Sequence, residues 1–429
     1  MRLRSGRHCI PSRVSASVRE GAFRFDYVQV TKILIISEMS LPYALIARSL
    51  GFMTSRTLLA HHWFFEPRGG ERVLAELAAL FPAAPILTAF AATDVSGWPE
   101  DIADLLPRVR PSQIQPLFRA SQSVPGLMPT LLPLLPWGMR RSFRRELAEA
   151  DRLLVSDAGL AKTLALETAA PVHVYLHTPM RHIWHDAAET EARVPSPLRP
   201  VVRRMLERLR RVDLEAAGRV ASWAVNSRTT ARRASAAYGI DESTFRVIHP
   251  PVDIPAEPPG ECRREGLLVV SGMHPYKNDR LAVEAARRLD LPLTVVGNGP
   301  ERKKLEALAG PRTRFLGYVE DHRLADLYRS HEAILFCGEE DFGIVPVEAI
   351  ARGCPVVALA RGGALETVEA GTTGVFFEEA NVEAVVAAIE DCRGLEWNRH
   401  AMHGSARRFG PAEFRMAIAE WLSTMARLP

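Results

Sequence analysis

Short apolar runs alternate with amphipathic stretches along the first half of the chain. The runs are too short for buried helices and are typical of strands covered on both faces. They cover residues 56–64, 84–90, 151–157, 171–178 and 223–227. After the first run, Val73, Leu74 and Leu77 recur at helical spacing behind Gly69 and Gly70, which predicts an amphipathic helix. Strands alternating with helices in this way predict a parallel, doubly wound sheet.

The same alternation restarts after a proline-rich stretch at 245–266, which lacks periodicity and is the predicted linker. Strands are predicted at 266–272 and 291–299, followed by helices at 278–289 and 300–310. The chain therefore divides into two α/β domains with a cleft between them, and ligands in such folds bind outside the carboxyl ends of the strands. The predicted bounds are 53–248 for the N-terminal domain, 249–410 for the C-terminal domain and 411–429 for a closing helix.

The first 52 residues are expected to lie outside the fold. They are rich in Arg and Ser, as in a transit peptide, but also resemble arbitrary translated sequence. Met53 directly precedes the first predicted strand, which suggests the hypothesis of a misassigned start codon.

Composition and charge narrow the class of protein. The chain has 429 residues, 47% hydrophobic and 24% charged, as is ordinary for a soluble globular protein. A net charge of +4 gives no indication of a nucleic-acid partner. Five scattered cysteines without metal-ligand or CxxC spacing fit a reducing cytoplasm. No apolar run reaches the roughly 18 residues of a membrane span.

Two carboxylates, Glu340 and Glu348, flank a glycine-containing loop between a predicted strand (333–337) and a helix predicted to begin at Pro346. The backbone N–H groups of residues 341–345 and the helix start form an anion site in which a diphosphate would fit. The carboxylates could accept hydrogen bonds from sugar or ribose hydroxyls. Alternatively, Glu348 is present only because the helix dipole favours an acidic residue in the first turn, and the acidic loop before it is only a solvated surface loop.

The string "EDFGIVPVEAIARGCPVV" resembles the signature of retaining family 4 glycosyltransferases, in which seven residues separate two glutamates. Other segments resemble this family in the same order along the chain, from about residue 56 to 425. They are "GGERVL" (69–74), "LHTPMRHIW" (176–184), "NSRTT" (226–230), "VIHPPVD" (247–253), "PYKN" (275–278), "VVGNGPE" (295–301) and "GGALETV" (362–368). The H-T-P-M-R segment resembles a subgroup with bacterial mannosyltransferases of surface-polysaccharide synthesis. The resemblance implies the GT-B fold, in which two Rossmann-like doubly wound domains face each other across a cleft.

The resemblance also implies roles for residues of the C-terminal domain. Glu340 would hold hydroxyls of the donor sugar near its reacting centre, and Glu348 would bind the ribose of the nucleotide. The N–H groups of Phe342, Gly343 and Ile344 would contact sugar and phosphate. Lys277 would stabilise the negative charge on the departing diphosphate.

The opposite wall of the cleft is expected to contribute Gly69, Gly70, His177 and Arg181. The glycines would let the backbone approach the diphosphate or acceptor, or serve only a tight turn. His177 follows a buried strand and is interpreted as a contact of the donor sugar or acceptor, with Arg181 as a second contact. Glu366 would either shape the phosphate loop or pair with an arginine.

The sequence lacks two features, an arginine before Lys277 and a D-x-D motif, and each absence bears on the expected mechanism. Many relatives have an arginine about five residues before the lysine, where this chain has Gly272. Arg280 or an arginine of the other domain is therefore the expected substitute beside Lys277. No D-x-D motif occurs in the chain, which agrees with an enzyme that uses neither a metal nor another cofactor.

Two arginine-rich stretches could contact an anionic membrane. They lie at 139–147 and 199–212, and the second has Val202, Met205 and Leu209 at helical spacing. The alternative is a core-facing helix with a solvated basic side. Membrane contact would place the protein at the inner face of the membrane and suit a lipid-linked acceptor.

The sequence as a whole predicts a retaining hexosyltransferase. It would use a nucleotide sugar, with GDP-mannose favoured by the subgroup, and a saccharide or lipid-linked acceptor of cell-surface polysaccharide synthesis. Two alternatives remain open at this point. One is a non-catalytic subunit that binds nucleotides or carbohydrates, and the other is a peripheral membrane scaffold.

Overall fold

The computed structural model describes residues 56–122, 132–192, 194–260 and 262–425. The predicted extension 1–52 and Met53 lie outside the described residues. The described residues belong to one compact unit, which contains two parallel sheets with helices on their faces.

The first sheet has seven parallel strands in the order β3-β2-β1-β4-β5-β6-β7. Most of its strand residues are buried because helices cover both faces. The strands are β1 (Thr57–His61), β2 (Ile86–Thr88), β3 (Val109–Pro111), β4 (Arg152–Asp157), β5 (Val172–Leu176), β6 (Ser222–Val225) and β7 (Phe245–Val247). The helices are α1 (Gly69–Leu80), α2 (Glu100–Ala103), α3 (Gln115–Gln122), α4 (Leu135–Ser142), α5 (Arg144–Ala148), α6 (Ala187–Ala192), α7 (Arg199–Ala217) and α8 (Arg228–Tyr238).

The second sheet has six parallel strands in the order β10-β9-β8-β11-β12-β13. Its strands are β8 (Leu267–Val270), β9 (Leu293–Val296), β10 (Thr313–Gly317), β11 (Ala333–Phe336), β12 (Val356–Leu359) and β13 (Gly374–Phe377). The helices that follow α8 are α9 (Asp279–Arg288), α10 (Arg302–Leu308), α11 (Asp321–Ser330), α12 (Ile344–Ala351), α13 (Ala364–Thr367), α14 (Val382–Gly394), α15 (Arg399–Ala406) and α16 (Pro411–Met425). The predicted architecture of two Rossmann-like α/β domains is confirmed.

The last helix returns from the second domain to the first. Phe414, Ile418 and Trp421 of α16 are buried in the core on one face of the first sheet, together with Val73 and Leu77 of α1. The apolar side chains of α16 and those that they pack against in the first domain are thus removed from water. This burial stabilises the folded state by roughly 1.5–3 kcal/mol for each fully buried large side chain.

Two local predictions are wrong. The stretch predicted as a linker begins with a strand, because Phe245–Val247 pairs with β6 as the edge strand β7. Helix α12 begins at Ile344, two residues before Pro346. A proline is tolerated there because the first N–H groups of a helix have no intrahelical acceptor.

Candidate active site

In each sheet, the strand order reverses beside the first strand of the domain. Strand β1 lies between β2 and β4, and β8 lies between β9 and β11. At such a reversal, the chain segments that leave the carboxyl ends of two adjacent strands run to opposite faces of the sheet and leave a crevice between them. Open α/β sheets bind their ligands in this crevice. Most of the predicted site residues lie on segments that leave these strands, whereas His177 and Arg181 follow β5 and Glu366 follows β12.

Lys277 and Glu340 meet at the crevice of the second sheet. Lys277 follows β8 and Glu340 follows β11, and the Lys277 ammonium donates a hydrogen bond to Glu340 Oε1. Both side chains are about four-fifths buried, at 18% and 22% exposed. Asn278 directly after Lys277 adopts a left-handed conformation (φ 52°) that turns the chain into α9. Glu340 thus lies at the mouth of its strand–loop–helix unit, where the sequence predicted it, and Lys277 reaches the same crevice from the segment after β8.

The acidic loop, residues 338–343, is held by close backbone packing. Gly343 has φ +90°, a left-handed conformation that suits glycine, and it begins α12. The ring of Phe342 is buried and stacks on His249, with centroids 5.4 Å apart. Gly363 donates its N–H to the Glu340 carbonyl over 2.8 Å. These contacts position the N–H groups of the loop and of the helix start, which carry partial positive charge.

Glu348 lies one turn inside α12. Its Oε2 accepts a hydrogen bond of 2.9 Å from the hydroxyl of Tyr328. Burial raises the pKa of Glu348, and the positive charge of Arg72 from the other domain opposes that rise. The carboxylate thus has a single side-chain hydrogen bond within the described chain and retains capacity to accept hydroxyl donors.

The glycine pair begins α1 and lies at the cleft. A Cβ on Gly69 would come 2.4 Å from Ile344 Cδ1, so the start of α1 touches the start of α12. A Cβ on Gly70 would meet the His61 ring at 3.5 Å, which is ordinary contact. Gly69 therefore permits the close approach of the two domains, whereas Gly70 lies beside the histidines at the end of β1.

His177 lies directly after β5, at the carboxyl edge of the first sheet. Its Nε2 is 2.8 Å from Ser156 Oγ, and its ring lies 6.3 Å from that of His61. Burial, followed by the neighbouring His61, lowers the pKa of His177 to about 3, while Asp157 and Asp341 act in the opposite direction. His177 is therefore neutral near pH 7.

Arg181 bridges the cleft rather than projecting freely into it. Its Nη2 lies 2.6 Å from Asp341 Oδ2. Arg233 of α8 binds the same Asp341 and lies 2.7 Å from Glu339. The acidic loop is thus tied by ion pairs to two arginines of the N-terminal domain.

Glu366 also contacts the opposite domain. Its carboxylate accepts hydrogen bonds from the backbone N–H groups of Arg228 (2.9 Å) and Thr229 (3.3 Å). It therefore lies at the N-terminus of α8, where the helix dipole favours negative charge. Its described partners are backbone N–H groups and not the side chain of an arginine, while the predicted role at the phosphate loop stays a prediction.

The structure distinguishes the two candidates for a cation beside Lys277 in place of an arginine at Gly272. Arg280 is exposed on α9 and lies 3.5 Å from Glu284, its neighbour one turn on. The Arg181 guanidinium lies 4.8 Å from the ring centroid of Tyr276, which Lys277 also approaches at 5.4 Å. Arg181 and Lys277 therefore flank one aromatic ring from opposite domains.

Sequence reasoning missed several polar residues that the structure brings to the cleft or directly behind it. Arg233 and Ser156 gave no signal, because their partners are distant in the chain. His61 and His62 at the end of the first strand were a signal that could have been used. Within the described ranges, no group of three or more His, Cys, Asp or Glu residues could hold a metal ion.

Comparisons with known proteins agree with this geometry. Residues 261–409 match the family model described as "Glycosyl transferases group 1". The D-inositol 3-phosphate glycosyltransferase of Geodermatophilus obscurus is 34% identical over 218 residues, which are 44% of this chain and 48% of that protein. The protein of that name from Mycobacterium tuberculosis is 31% identical over 189 residues, 39% of each chain. The chain thus spans less than half the length of these curated relatives.

Solved structures extend the likeness to both domains. The Anabaena protein Alr3699/HepE in complex with UDP has a TM-score of 0.64 at 19% identity, over 86% of this chain and 100% of that chain. Sucrose-phosphate synthase from Thermosynechococcus elongatus has a TM-score of 0.62 at 16% identity, over 85% of this chain and 98% of that chain. The chain therefore has the GT-B glycosyltransferase fold, and its C-terminal domain matches the group 1 glycosyl transferases.

Proposed function

We propose that this protein is a retaining, metal-independent glycosyltransferase that moves a hexose from a nucleotide sugar to a saccharide or lipid-linked acceptor. The observation that carries the proposal is the contact between Lys277 and Glu340 at the strand-order reversal of the second sheet. Helix α12 begins beside this pair and carries Glu348 inside it. One small region thus offers a cation, a helix N-terminus and two carboxylates.

These groups suit the parts of a nucleoside diphosphate sugar. Lys277 and the N–H groups at the start of α12 would bind the diphosphate, whose charge grows as the sugar–phosphate bond breaks. Glu340 would exchange its contact with Lys277 for hydroxyls of the sugar, and Glu348 would accept hydroxyls of the ribose. Charge on the leaving group is then balanced by the protein itself, without a metal ion.

The chemical step would be a displacement on one face of the sugar. The bond from the anomeric carbon to the phosphate oxygen breaks as the bond to the acceptor oxygen forms. The acceptor proton passes to the departing diphosphate, so no side chain has to act as the base. The ion pairs of Arg181 and Arg233 with the acidic loop would hold the domains together around the donor and exclude water.

Nucleotide binding tests the proposal most directly. The sequence resemblance favours GDP-mannose, whereas the Anabaena relative was solved with UDP and with UDP-glucose. We expect the full chain to unfold at a higher temperature with GDP and GDP-mannose, because a ligand at 100 times its Kd stabilises by about 2.7 kcal/mol. The measurement is thermal unfolding with GDP, UDP, ADP and their sugar derivatives.

The outcomes of that experiment distinguish the donor nucleotide and separate the enzyme from its two non-enzymatic alternatives. A selective shift with UDP or ADP would keep the enzyme and overturn the GDP-mannose assignment. No shift with any nucleotide on folded protein would contradict the proposal and favour a membrane scaffold. A shift without sugar transfer, unchanged in Glu340→Ala, would favour a non-catalytic binding subunit.

We also propose that the acceptor is met at an anionic membrane surface. The two arginine-rich stretches converge in the structure on a groove of about 1170 Å³ between α4 and α7. We call this the basic groove. Trp137 and Val201 at its edge are 56% and 67% exposed. Its arginines are Arg140, Arg141, Arg144, Arg203, Arg204 and Arg208, against the two acids Glu167 and Glu207. Within the described ranges, no helix is long and apolar enough to cross a membrane.

Vesicle binding is expected to depend on this groove. Arg204 and Arg208 form no ion pair with any described residue and lie one helical turn apart, so both charges are open to lipid headgroups. The Arg204→Glu/Arg208→Glu variant should bind vesicles of anionic phospholipid at least about tenfold more weakly than wild type at low salt. The control is Arg287→Glu/Arg288→Glu, which makes the same change of charge at two exposed positions of α9, where Arg288 is paired with Glu383. Equal binding by both variants, or no binding by wild type, would contradict the membrane proposal.

A further inference from the structure

A chain of buried polar groups runs behind His177 at the carboxyl edge of the first sheet. Its members are His61 at the end of β1, Ser156 in β4 and Glu71 in α1. His61 and Ser156 face each other in the register of the two strands and have no exposed surface. Glu71 is 2% exposed. The catalytic roles proposed above leave these three residues without a function.

The distances connect the chain to the cleft. His61 Nε2 lies 3.7 Å from Glu71 Oε1. His61 Nδ1 lies 3.0 Å from Ser156 Oγ, and Ser156 Oγ lies 2.8 Å from His177 Nε2. The contact with Glu71 is longer than a hydrogen bond. The hydrogen-bonded series therefore runs from His61 through Ser156 to His177, which the pairing of neighbouring parallel strands brings together across more than 100 residues of sequence.

The proton positions follow from the acceptors. The carbonyl oxygen of Ser156 lies 3.1 Å from His61 Nδ1, and a carbonyl can only accept, so His61 Nδ1 carries a proton. The hydroxyl of Ser156 then needs an acceptor of its own, and the other nitrogen within its reach is His177 Nε2. Leaving this buried hydroxyl without an acceptor would cost about 1–3 kcal/mol. His177 Nε2 is therefore the acceptor and is unprotonated.

The second ring nitrogen of His177, Nδ1, is the one left to contact a ligand. A neutral imidazole carries one proton, so a bare Nε2 places that proton on Nδ1. Within the described ranges, His177 Nδ1 has no hydrogen-bond partner, and the residue is only partly buried. The next residue, Thr178, lies with its Oγ1 3.5 Å from Oδ1 of Asp341 in the opposing acidic loop, so His177 borders the cleft. The N–H of Nδ1 is thus available to a ligand between the two domains.

We propose that Ser156, held by His61, is a positioning residue that fixes His177 in the Nδ1–H tautomer, so that His177 donates a neutral hydrogen bond to an oxygen of the bound sugar donor. This role deepens the proposed glycosyltransferase function and rests on it. It excludes His177 Nδ1 as the base that deprotonates the acceptor, because that nitrogen already carries its proton. It also explains how a histidine in a site for a diphosphate contributes a donor without adding a positive charge.

The tautomer is measurable without any ligand. In full-length protein labelled with ¹⁵N-histidine, long-range ¹H–¹⁵N correlation spectra distinguish protonated from bare ring nitrogens. The His177 signals are those lost in His177→Gln. We expect a protonated Nδ1 and a bare Nε2 for His177 in wild type. In Ser156→Ala the hydroxyl donor is gone, so the Nδ1–H preference should disappear.

The chain offers a matched control in the same sheet. Ser222 Oγ lies 2.7 Å from His173 Nδ1, and both side chains are buried at the start of β5 and β6, the edge opposite the cleft. Ser222→Ala should alter the signals of His173 and leave those of His177 unchanged. The Nε2–H tautomer of His177 in wild type, or the same His177 tautomer in wild type and Ser156→Ala, would overturn the proposal. If Ser156→Ala fails to fold, the wild-type spectrum still decides the tautomer.

Kinetics separate positioning from a merely structural role. Ser156→Ala should lower kcat/KM about tenfold, as expected for one misdirected hydrogen bond, and leave the Kd of the sugar-free nucleoside diphosphate unchanged. Ser222→Ala should leave both quantities unchanged. Equal losses of kcat/KM in the two variants would indicate general destabilisation and overturn the positioning role. Absence of sugar transfer in wild type would refute the glycosyltransferase, while the tautomer would still test the hydrogen-bond chain by itself.

Discussion

Replacing Lys277 by alanine is expected to lower the kcat/KM of sugar transfer by at least about 100-fold. The ammonium lies in the crevice of the second sheet, mostly shielded from water and in contact with Glu340. Water exclusion makes such a fixed cation more effective against the charge that develops on the leaving diphosphate. The measurement is the initial rate of transfer from the nucleotide sugar identified by thermal unfolding.

Lys303→Ala provides the matched control for that measurement. Lys303 is an exposed lysine of α10 in the same domain, and its loss removes the same charge away from the crevice. We expect wild-type kcat/KM for this variant. A Lys277→Ala enzyme with the kcat/KM of wild type would show that the diphosphate is stabilised elsewhere, and Arg181 beside Tyr276 would become the first residue to test.

Replacing Gly363 by alanine is expected to disrupt the acidic loop and abolish the stabilisation by nucleotides. A Cβ at Gly363 would lie 2.2 Å from the carbonyl oxygen of Phe342 and 2.3 Å from its Cα. Backbone atoms cannot rotate away as a flexible side chain can, so the loop has to move. Overpacking of this kind costs typically about 1–3 kcal/mol. The measurement is the unfolding temperature of the variant with and without the nucleotide.

Gly404→Ala is the control for the glycine prediction. Gly404 lies in α15, and a Cβ there would meet nothing within 4 Å. Alanine is the better helix former by about 1 kcal/mol, so this variant should be as stable as wild type or slightly more stable. If Gly363→Ala kept both the unfolding temperature and the nucleotide response of wild type, the loop would not depend on this packing.

Local patterns in the sequence were sufficient to predict the architecture of two α/β domains. Apolar runs and amphipathic helices act over a few turns of chain, and their alternation predicts two parallel sheets whatever the later packing. The same reasoning placed Glu340 between a strand and a helix and Glu348 in the first turns of that helix, whereas Lys277 was predicted from the family resemblance. Local errors arose where signals compete. The proline-rich composition obscured the short edge strand β7, and Pro346 suggested a helix start that Gly343 determines instead.

Only the tertiary structure decided which side chains meet. Arg181 reaches Asp341 across 160 residues, and Glu366 reaches the N–H of Arg228 across 138. No periodicity or propensity extends over such separations, since these contacts depend on the strand order and on how the two domains face each other. The same holds for the series from His61 through Ser156 to His177, which exists because β1, β4 and β5 are neighbours in the sheet. The sequence by itself thus determined the elements and the chemistry at their ends, and the fold determined the partners of each charged group.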